Sequence, residues 1–564
     1  MKPKLFITLK EGYNGKKLLH DLTAGLIVGI VALPLAIAFA IASGVSPEKG
    51  LITAVIAGFI ISAMGGSRVQ IGGPTGAFVI IVSGVIAKYG INGLIISTII
   101  AGVLLIIMGF ARLGSIIKFI PFPLIVGFTA GIAVIIFSTQ IKDLFGMSIA
   151  NVPSDFIPRW GAYFQSLKTI NWYALGIGIG SIIIVVYWKK ITEKIPGSLV
   201  AIVAATLVVY FFQLPVETIG KRFGRIPFSL SAPVMPTINL QIIKDLISPA
   251  VAIALLAGIE SLLSAVVADG MINAKHDSNM ELVANGVANV ASGLFGGIPA
   301  TGAIARTATN IKNGGRTPIA GMTHAVVLFI IVLFFGNLAA LIPMPCLAAI
   351  LVVVAYNMSE WRVFKALLKS PKSDVVVLLT TFFLTVIIDL VVAIEVGMIL
   401  AVFLFIRRMA HVTDISVVTR EFDENGNQSD AEEDAKDPYS INKMNVPHSV
   451  EVYEIKGPFF FGAAEKFKEA MRTVEKAPKI RIIRMRHVPA IDSSGLKLLE
   501  DLFNSSKKNK IDFIISGINP QPLDALEKSG LLNKIGKTNV HSTIDKALSR
   551  AEEILAEKAA QKAS

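Results

Sequence analysis

Two short stretches of this chain have the residue types best suited to holding an ion. Gly72-Gly73-Pro74-Thr75-Gly76-Ala77 is echoed by Gly296-Gly297-Ile298-Pro299-Ala300-Thr301-Gly302-Ala303. In each copy a proline keeps the approaching backbone extended and restricts the residue before it. Glycines let another backbone or a ligand come close. Threonine then stands where a helix N-cap belongs. The next amides, those of Gly76-Ala77-Phe78 and Gly302-Ala303-Ile304, are expected to lack intrahelical partners. Two such helix starts facing each other would gather positive dipole ends and free N–H groups around one point, which suits an anion. The plainer alternative is a pair of turns whose glycines serve tight packing. Duplication at matching places in two halves favours binding.

Ionisable residues near these stretches extend the chemistry. Arg306 follows Thr301 by about one helical turn and could add fixed positive charge or pair with a carboxylate between helices. Glu260 and Asp269 share one apolar segment but are separated by about 13 Å along a helix, so they cannot serve one small site together. A buried carboxylate opposite an anion would bind Na⁺ or a proton. Asp269 is the favoured coupling residue and Glu260 the second candidate; a salt bridge to Arg306 or Lys275 is the structural alternative. Asp143, Asp374 and Asp389 fall at segment ends, where an interfacial charge costs little. Asn285 and Asn289, on one helix face, suit bonds between helices.

These residues must be positioned by membrane helices. Of the 564 residues, 53% are hydrophobic and 16% charged, against about 25% charged in a soluble domain; the mean hydropathy is +0.66. Stretches of roughly 20 apolar residues can cross a bilayer. Candidates lie near 23–43, 48–65, 92–112, 119–141, 173–189, 196–213, 248–271, 280–296, 317–339, 343–356, 371–388 and 390–408. Two shorter stretches, 75–89 and 301–312, read as half-helices that begin at the duplicated motif and bring the count to fourteen. The net charge of +13 points to cytoplasmic lysines and arginines rather than to nucleic acid. Lys2, Lys4, Lys10, Lys16 and Lys17 precede the first span and Arg407-Arg408 end the last, so both termini are expected in the cytoplasm, without a removable signal peptide. The single cysteine, Cys346, excludes an intrachain disulfide, and the histidines lack metal-ligand spacing. No paired nucleophile and base indicates an enzyme.

Beyond the last span, 423–437 is polar and acidic and reads as a linker. Apolar runs at 449–455, 479–485 and 511–517 then alternate with amphipathic patterns at 463–475, 494–506, 521–529 and 542–558, which indicates a small α/β domain. The division expected is 1–20 N-terminal segment, 21–410 transport domain, 411–446 linker and 447–564 cytoplasmic domain.

Together the motifs resemble the SulP family of anion transporters over nearly the whole chain. The resemblance rests on Asp21-Leu22-Thr23-Ala24-Gly25, Gly73-Pro74-Thr75-Gly76-Ala77-Phe78, Ala305-Arg306-Thr307, Asp389-Leu390 and Glu395-Val396-Gly397. It implies a polytopic α-helical membrane protein with 14 segments in a seven-plus-seven inverted repeat, core and gate parts, and a C-terminal STAS domain. It further implies a homodimer in a bacterial-type inner (plasma) membrane. Substrate would sit between the third and tenth helix starts, implicating Thr75, Gly76, Ala77, Phe78, Thr301, Gly302, Ala303 and Arg306. Pro34-Leu35-Ala36-Ile37-Ala38-Phe39 in the first span is closer to bicarbonate-transporting members than to sulfate permeases, and those members couple to Na⁺ through an acid on the eighth span, for which Asp269 is the better match. Asp492-Ser493-Ser494-Gly495 resembles the phosphorylation loop of bacterial anti-anti-sigma factors, which would make Ser493 the phospho-acceptor; plain helix capping is the alternative. The expected function is cation-coupled (Na⁺ or H⁺) secondary transport of sulfate or bicarbonate. A dicarboxylate carrier of the same family, a nucleobase carrier of similar fold and a membrane-anchored STAS signalling protein are the alternatives.

Overall fold

The computed structural model describes residues 1–115, 120–153, 155–192, 196–224, 233, 236, 240–412, 414–418, 446–447, 449–460 and 478–563. The chain divides into two compact units, Met1–Ala401 and Val402–Ser564.

The first unit is helical: α1 Lys4–Lys10, α2 Gly15–Ala42, α3 Pro47–Met64, α4 Phe78–Phe110, α5 Phe122–Phe145, α6 Phe156–Gln165, α7 Trp172–Tyr187, α8 Gly197–Phe211, α9 Ile219–Phe223, α10 Leu240–Ile272, α11 Ser278–Leu294, α12 Ile304–Lys312, α13 Pro318–Ala339, α14 Met344–Met358, α15 Trp361–Leu367, α16 Lys372–Ile387 and α17, which runs Leu390–Val412. Among the described residues, seven helices are long and apolar enough to cross a membrane, and three shorter ones are strongly apolar. Large side chains such as Phe110, Phe211, Phe334 and Ile399 remain exposed on the unit's surface, as hydrocarbon requires and water does not.

α4 unites a half-helix and a full segment that the sequence reading separates. Gly90, at φ 68° and ψ −172°, breaks it, and only glycine adopts that backbone without strain. Two helix groups are evident from packing. α2, α3, α4, α10, α11, α12 and α13 pack mainly on one another, whereas α5, α7, α8, α14 and α16 form a second set. Glycines permit the closest crossing. A Cβ on Gly102 of α4 would come within 2.6 Å of the Gly286 carbonyl of α11, and one on Gly286 within 2.6 Å of the Gly102 carbonyl.

The duplicated motifs do not cap their helices with threonine, as the sequence predicts. Gly72–Gly73 (β1) and Thr301–Gly302 (β2) instead pair as a two-residue antiparallel ladder, Gly72 opposite Gly302 and Gly73 opposite Thr301. The N-caps are Ala77 and Ala303, neither with a side-chain cap. A ladder satisfies backbone groups that an isolated extended segment would leave unpaired inside a bilayer.

The second unit holds a five-stranded sheet in the order β3–β4–β5–β6–β7, formed by Asp414–Val418, Val450–Lys456, Ile480–His487, Asp512–Ser516 and Val540–His541. β3 runs antiparallel to β4, and the other neighbours are parallel. Helices α18 Ser493–Lys508, α19 Pro520–Lys528, α20 Leu531–Ile535 and α21 Ile544–Ala563 complete it. Side chains alternate between two cores. Tyr453, Ile455, Ile483 and Ile515 join Leu499 and Leu526 on one face, while Val450, Val452, Ile482 and Ile514 join Ala547 and Leu548 on the other. Burial of both faces explains why these strands read as continuous apolar runs. β3 falls within the segment 411–446 that the sequence reading assigns wholly to linker. The acidic stretch 423–437 and the helix expected at 463–475 lie outside the described residues.

Candidate functional site

Pairing of β1 with β2 brings the two half-helix starts together. α11 holds the second motif in place: the Asn289 amide donates to the Ala300 carbonyl at 2.8 Å and its carbonyl oxygen accepts from the Ala300 N–H at 2.9 Å. From α3, the Thr53 hydroxyl accepts the Ile298 N–H at 2.7 Å. The first motif is tied to α12, where the Thr307 hydroxyl accepts the Ile71 N–H and the Asn310 amide donates to the Val69 carbonyl. Asn289, expected to bond between helices, thus positions the site backbone.

Within this frame the candidate residues take distinct roles. Thr75 donates its hydroxyl to Glu260 Oε2 at 2.7 Å. Thr301 is fully buried and donates to the Ala257 carbonyl at 2.7 Å, so its hydroxyl is used between helices. The expected free amides are partly engaged: Phe78 donates to the Thr75 carbonyl and Ala303 to the Ile71 carbonyl. The amides of Gly76, Ala77, Ile304 and Ala305 have no hydrogen-bond partner among the described residues. Gly76 faces apolar neighbours, since a Cβ there would lie 3.0–3.2 Å from Met358, Ile136 and Phe39. Gly302 leaves no room at all, because a Cβ would collide with the side chain of Gln70.

Arg306 is 2% exposed. Its Nη2 donates to the Pro74 carbonyl, tying α12 to the first motif, while Nη1 has no partner among the described residues and borders Gly73. Glu260 and Arg306 act on each other electrostatically. Threonine, carboxylate, guanidinium and two helix starts therefore converge on one place. A cavity of about 550 Å³ begins one residue beyond Phe78, at Val79 and Ile80, and extends to Lys142, Asp143, Arg159 and Arg222, with Thr385 and Asp389 on another wall.

Asp269 is not brought to this place. Its carboxylate accepts the His276 N–H at 2.9 Å and lies 2.7 Å from His276 Nδ1, and Ser278 Oγ stands 2.9 Å from His276 Nε2. The connectivity is that of a nucleophile, base and orienting acid. Ser278, however, is the first residue of α11, directly after its N-cap Asp277, and the trio closes the loop from α10. Asp143, expected at a segment end where an interfacial charge costs little, accepts two hydrogen bonds from Arg222. Ser493 is exposed in the first turn of α18, after Asp492, whose side chain caps the Gly495 amide at 2.8 Å.

One residue that sequence reasoning missed underlies the site. Glu281 is fully buried and accepts the Gly66 and Ser67 amides at 2.7 and 2.9 Å. Asn285 and Gln70 both donate to Ser261, whose hydroxyl faces the Glu281 carboxylate at 3.3 Å. This network joins α10, α11 and the loop before β1. Only the buried character of its neighbours distinguishes Glu281 from an ordinary first-turn acid.

Comparison with known proteins agrees with this architecture. The sulfate permease family matches residues 18–381 and the STAS domain matches residues 443–547. YvdB of Bacillus subtilis, which carries a sulfate-transporter name, is 44% identical over 93% of this chain and 96% of its own length. The bicarbonate transporter BicA of Picosynechococcus is 29% identical, covering 94% of each chain. Among solved structures, that of SLC26A9 superposes with a TM-score of 0.84 at 18% identity, covering 98% of this chain and 92% of that one. The transmembrane domain of a cyanobacterial BicA superposes with 0.61 at 30% identity, covering 69% and 98%. With its polytopic helical unit and its α/β STAS domain, the chain belongs to the SulP family of anion transporters.

Proposed function

We propose that this protein is a secondary active transporter of a small inorganic anion, sulfate or bicarbonate, bound between the starts of α4 and α12. The observation that carries this reading is Arg306: a buried guanidinium with one nitrogen unpartnered among the described residues, beside two helix N-termini whose amides are likewise unpaired there. Such a cluster stabilises negative charge and leaves a cation unsatisfied without it. The anion's contacts would be the amides of Gly76 and Ala77, with Phe78 at the helix start, and the backbone around Thr301, Gly302 and Ala303, with Arg306 supplying charge. The names of relatives support both anions, sulfate through YvdB and bicarbonate through BicA.

Glu260, hydrogen-bonded to Thr75 and in the field of Arg306, is the better placed of the two carboxylates to bind a coupling cation, Na⁺ or H⁺. Asp269 is occupied by His276. The helices are proposed to form fourteen membrane segments in a seven-plus-seven inverted repeat, with a core set carrying the site past a gate set. The chain would act as a homodimer in the inner membrane with both termini cytoplasmic. Residues 1–20 would precede the transport domain 21–410, and the STAS domain, 447–564, would regulate it after the linker 411–446, with Ser493 as its modifiable position. Uptake of labelled sulfate and bicarbonate into proteoliposomes, with and without Na⁺ or a pH gradient, tests the reading. Failure to move either anion under all gradients would overturn it.

A further inference from the structure

One buried ionisable side chain has no task in this scheme. His324, on α13, is fully enclosed; its imidazole meets the Gly321 backbone one turn earlier on the same helix, and no side chain among the described residues bonds either ring nitrogen. The surroundings of the ring are specific. A Cβ on Gly58 of α3 would lie 3.3 Å from His324 Cε1 and 3.1 Å from the Gly72 carbonyl oxygen, so the ring and β1 border the same gap. The next residue of β1, Gly73, borders Arg306 Nη1. His324 and Arg306 thus flank one short strand, and Arg306 is the charged side chain whose field reaches the imidazole.

Other charges stand further away. α13 has no second ionisable residue. Those of α2, Lys16, Lys17, His20 and Asp21, lie in its first two turns, whereas His324 packs at the level of Gly29. Asp21 caps the start of α13 at Thr317, about two turns before His324. On α3, Glu48 and Lys49 occupy the first turn, about 15 Å along the helix from Gly58, and the Lys49 amine donates to the Gly296 carbonyl. α1 contributes Lys4 and Lys10 and meets the other end of α3, at Gly65.

We propose that His324 is a proton site linked to the anion site, taking up a proton as an anion binds and releasing it as the anion leaves. This rests on the reading of Arg306 as the anion's ligand. Two cations facing each other across one strand repel, and an anion seated on Arg306 removes the repulsion. The imidazole lone pair then accepts a proton from solvent, and by reciprocity a protonated His324 strengthens the hold on the anion. One proton would accompany each anion whether or not Glu260 carries a second cation.

The test measures KM for sulfate and for bicarbonate in proteoliposomes holding the full chain, with the concentration of each anion fixed at every pH. For the wild type, KM should fall with pH by up to about tenfold per unit for one linked proton. His324→Gln should transport with a KM nearly independent of pH. His324→Asn is the second removal of the ring should Gln prevent folding. Should neither fold, Glu260→Gln decides: pH dependence that survives in it supports His324, and its disappearance overturns the proposal. A wild-type KM that ignores pH, or a dependence unchanged in His324→Gln, also overturns it. An unchanged KM in Arg306→Gln would instead refute the underlying anion site, and the proposal with it.

Discussion

The hydroxyl of Thr75 donates to the carboxylate of Glu260 across 2.7 Å. The stretch just before α4 is thereby bound to α10. Any ion that draws Glu260 away from Thr75, or any proton that fills the accepting lone pair, is felt at the start of α4. If Glu260 holds the coupling cation as proposed, coupling to the anion would need no longer path than this one hydrogen bond.

Replacing Arg306 by Gln should weaken uptake by raising KM without preventing membrane insertion. Hydrogen bonds to charged groups contribute roughly 1.5–3 kcal/mol, so apparent affinity should fall about 10- to 150-fold. Uptake kinetics at matched protein density check this, and an unchanged KM would reject the assignment.

Glu260→Gln should remove the stimulation of uptake by its coupling cation. Asp269→Asn should keep it, because its partner is His276. Initial rates with and without Na⁺, at two external pH values, separate the two carboxylates; a response lost only in Asp269→Asn would reverse the order.

Gly302→Ala should impair transport more than its size suggests. The added methyl must displace the Gln70 amide, which is bonded to Ser261 at 2.6 Å. Gln70→Ala in the same chain should restore part of the rate. No rescue would indicate that the ladder itself had been broken.

Glu281→Ala should destabilise the unit by about 2–4 kcal/mol, since two buried amides and a serine lose their common acceptor. A lower melting temperature in detergent and reduced yield would show it, with Glu281→Gln retaining part of the stability.

In the STAS domain, burial pushes the Glu451 carboxyl above its ordinary 4.5, against the opposing influence of Tyr453 and Arg481. An acid whose folded-state value is raised contributes stability below the unfolded value and loses it as pH rises through the folded one. Glu451→Gln cannot show this loss. The melting temperature of the domain's transition in the wild type should therefore fall relative to that of the variant as pH is raised from 4.5; a constant difference would contradict the shift.

The duplicated motif was legible because glycine, proline and threonine restrict the backbone in ways that survive without a partner. What the threonines do was not legible. Thr75 and Thr301 occupy matching places, yet one bonds a carboxylate and the other a carbonyl, both on α10. That difference depends on which residue α10 presents at each depth, and periodicity alone does not supply it. The same limit favoured Asp269 over Glu260. Glu281 was missed because an acid in a first turn ordinarily complements the helix dipole, and its buried amide partners come from a loop distant in sequence. β3 was hidden by its position before a polar stretch, where five residues without a visible neighbour carry little signal. β4, β5 and β6 were readable from their apolar runs, whereas β7, only Val540–His541, was too short to show.

Gly72 and Gly302, paired in the ladder, stand about 230 residues apart. Closing so large a loop costs entropy that local contacts cannot offset early. During synthesis the first half must wait in the bilayer with the backbone of β1 unpaired until the second half is made. On the proposed site, a chain truncated before α12 would have helices but no place for an ion, so the first measurable anion binding should coincide with completion of the second half rather than with insertion of the first.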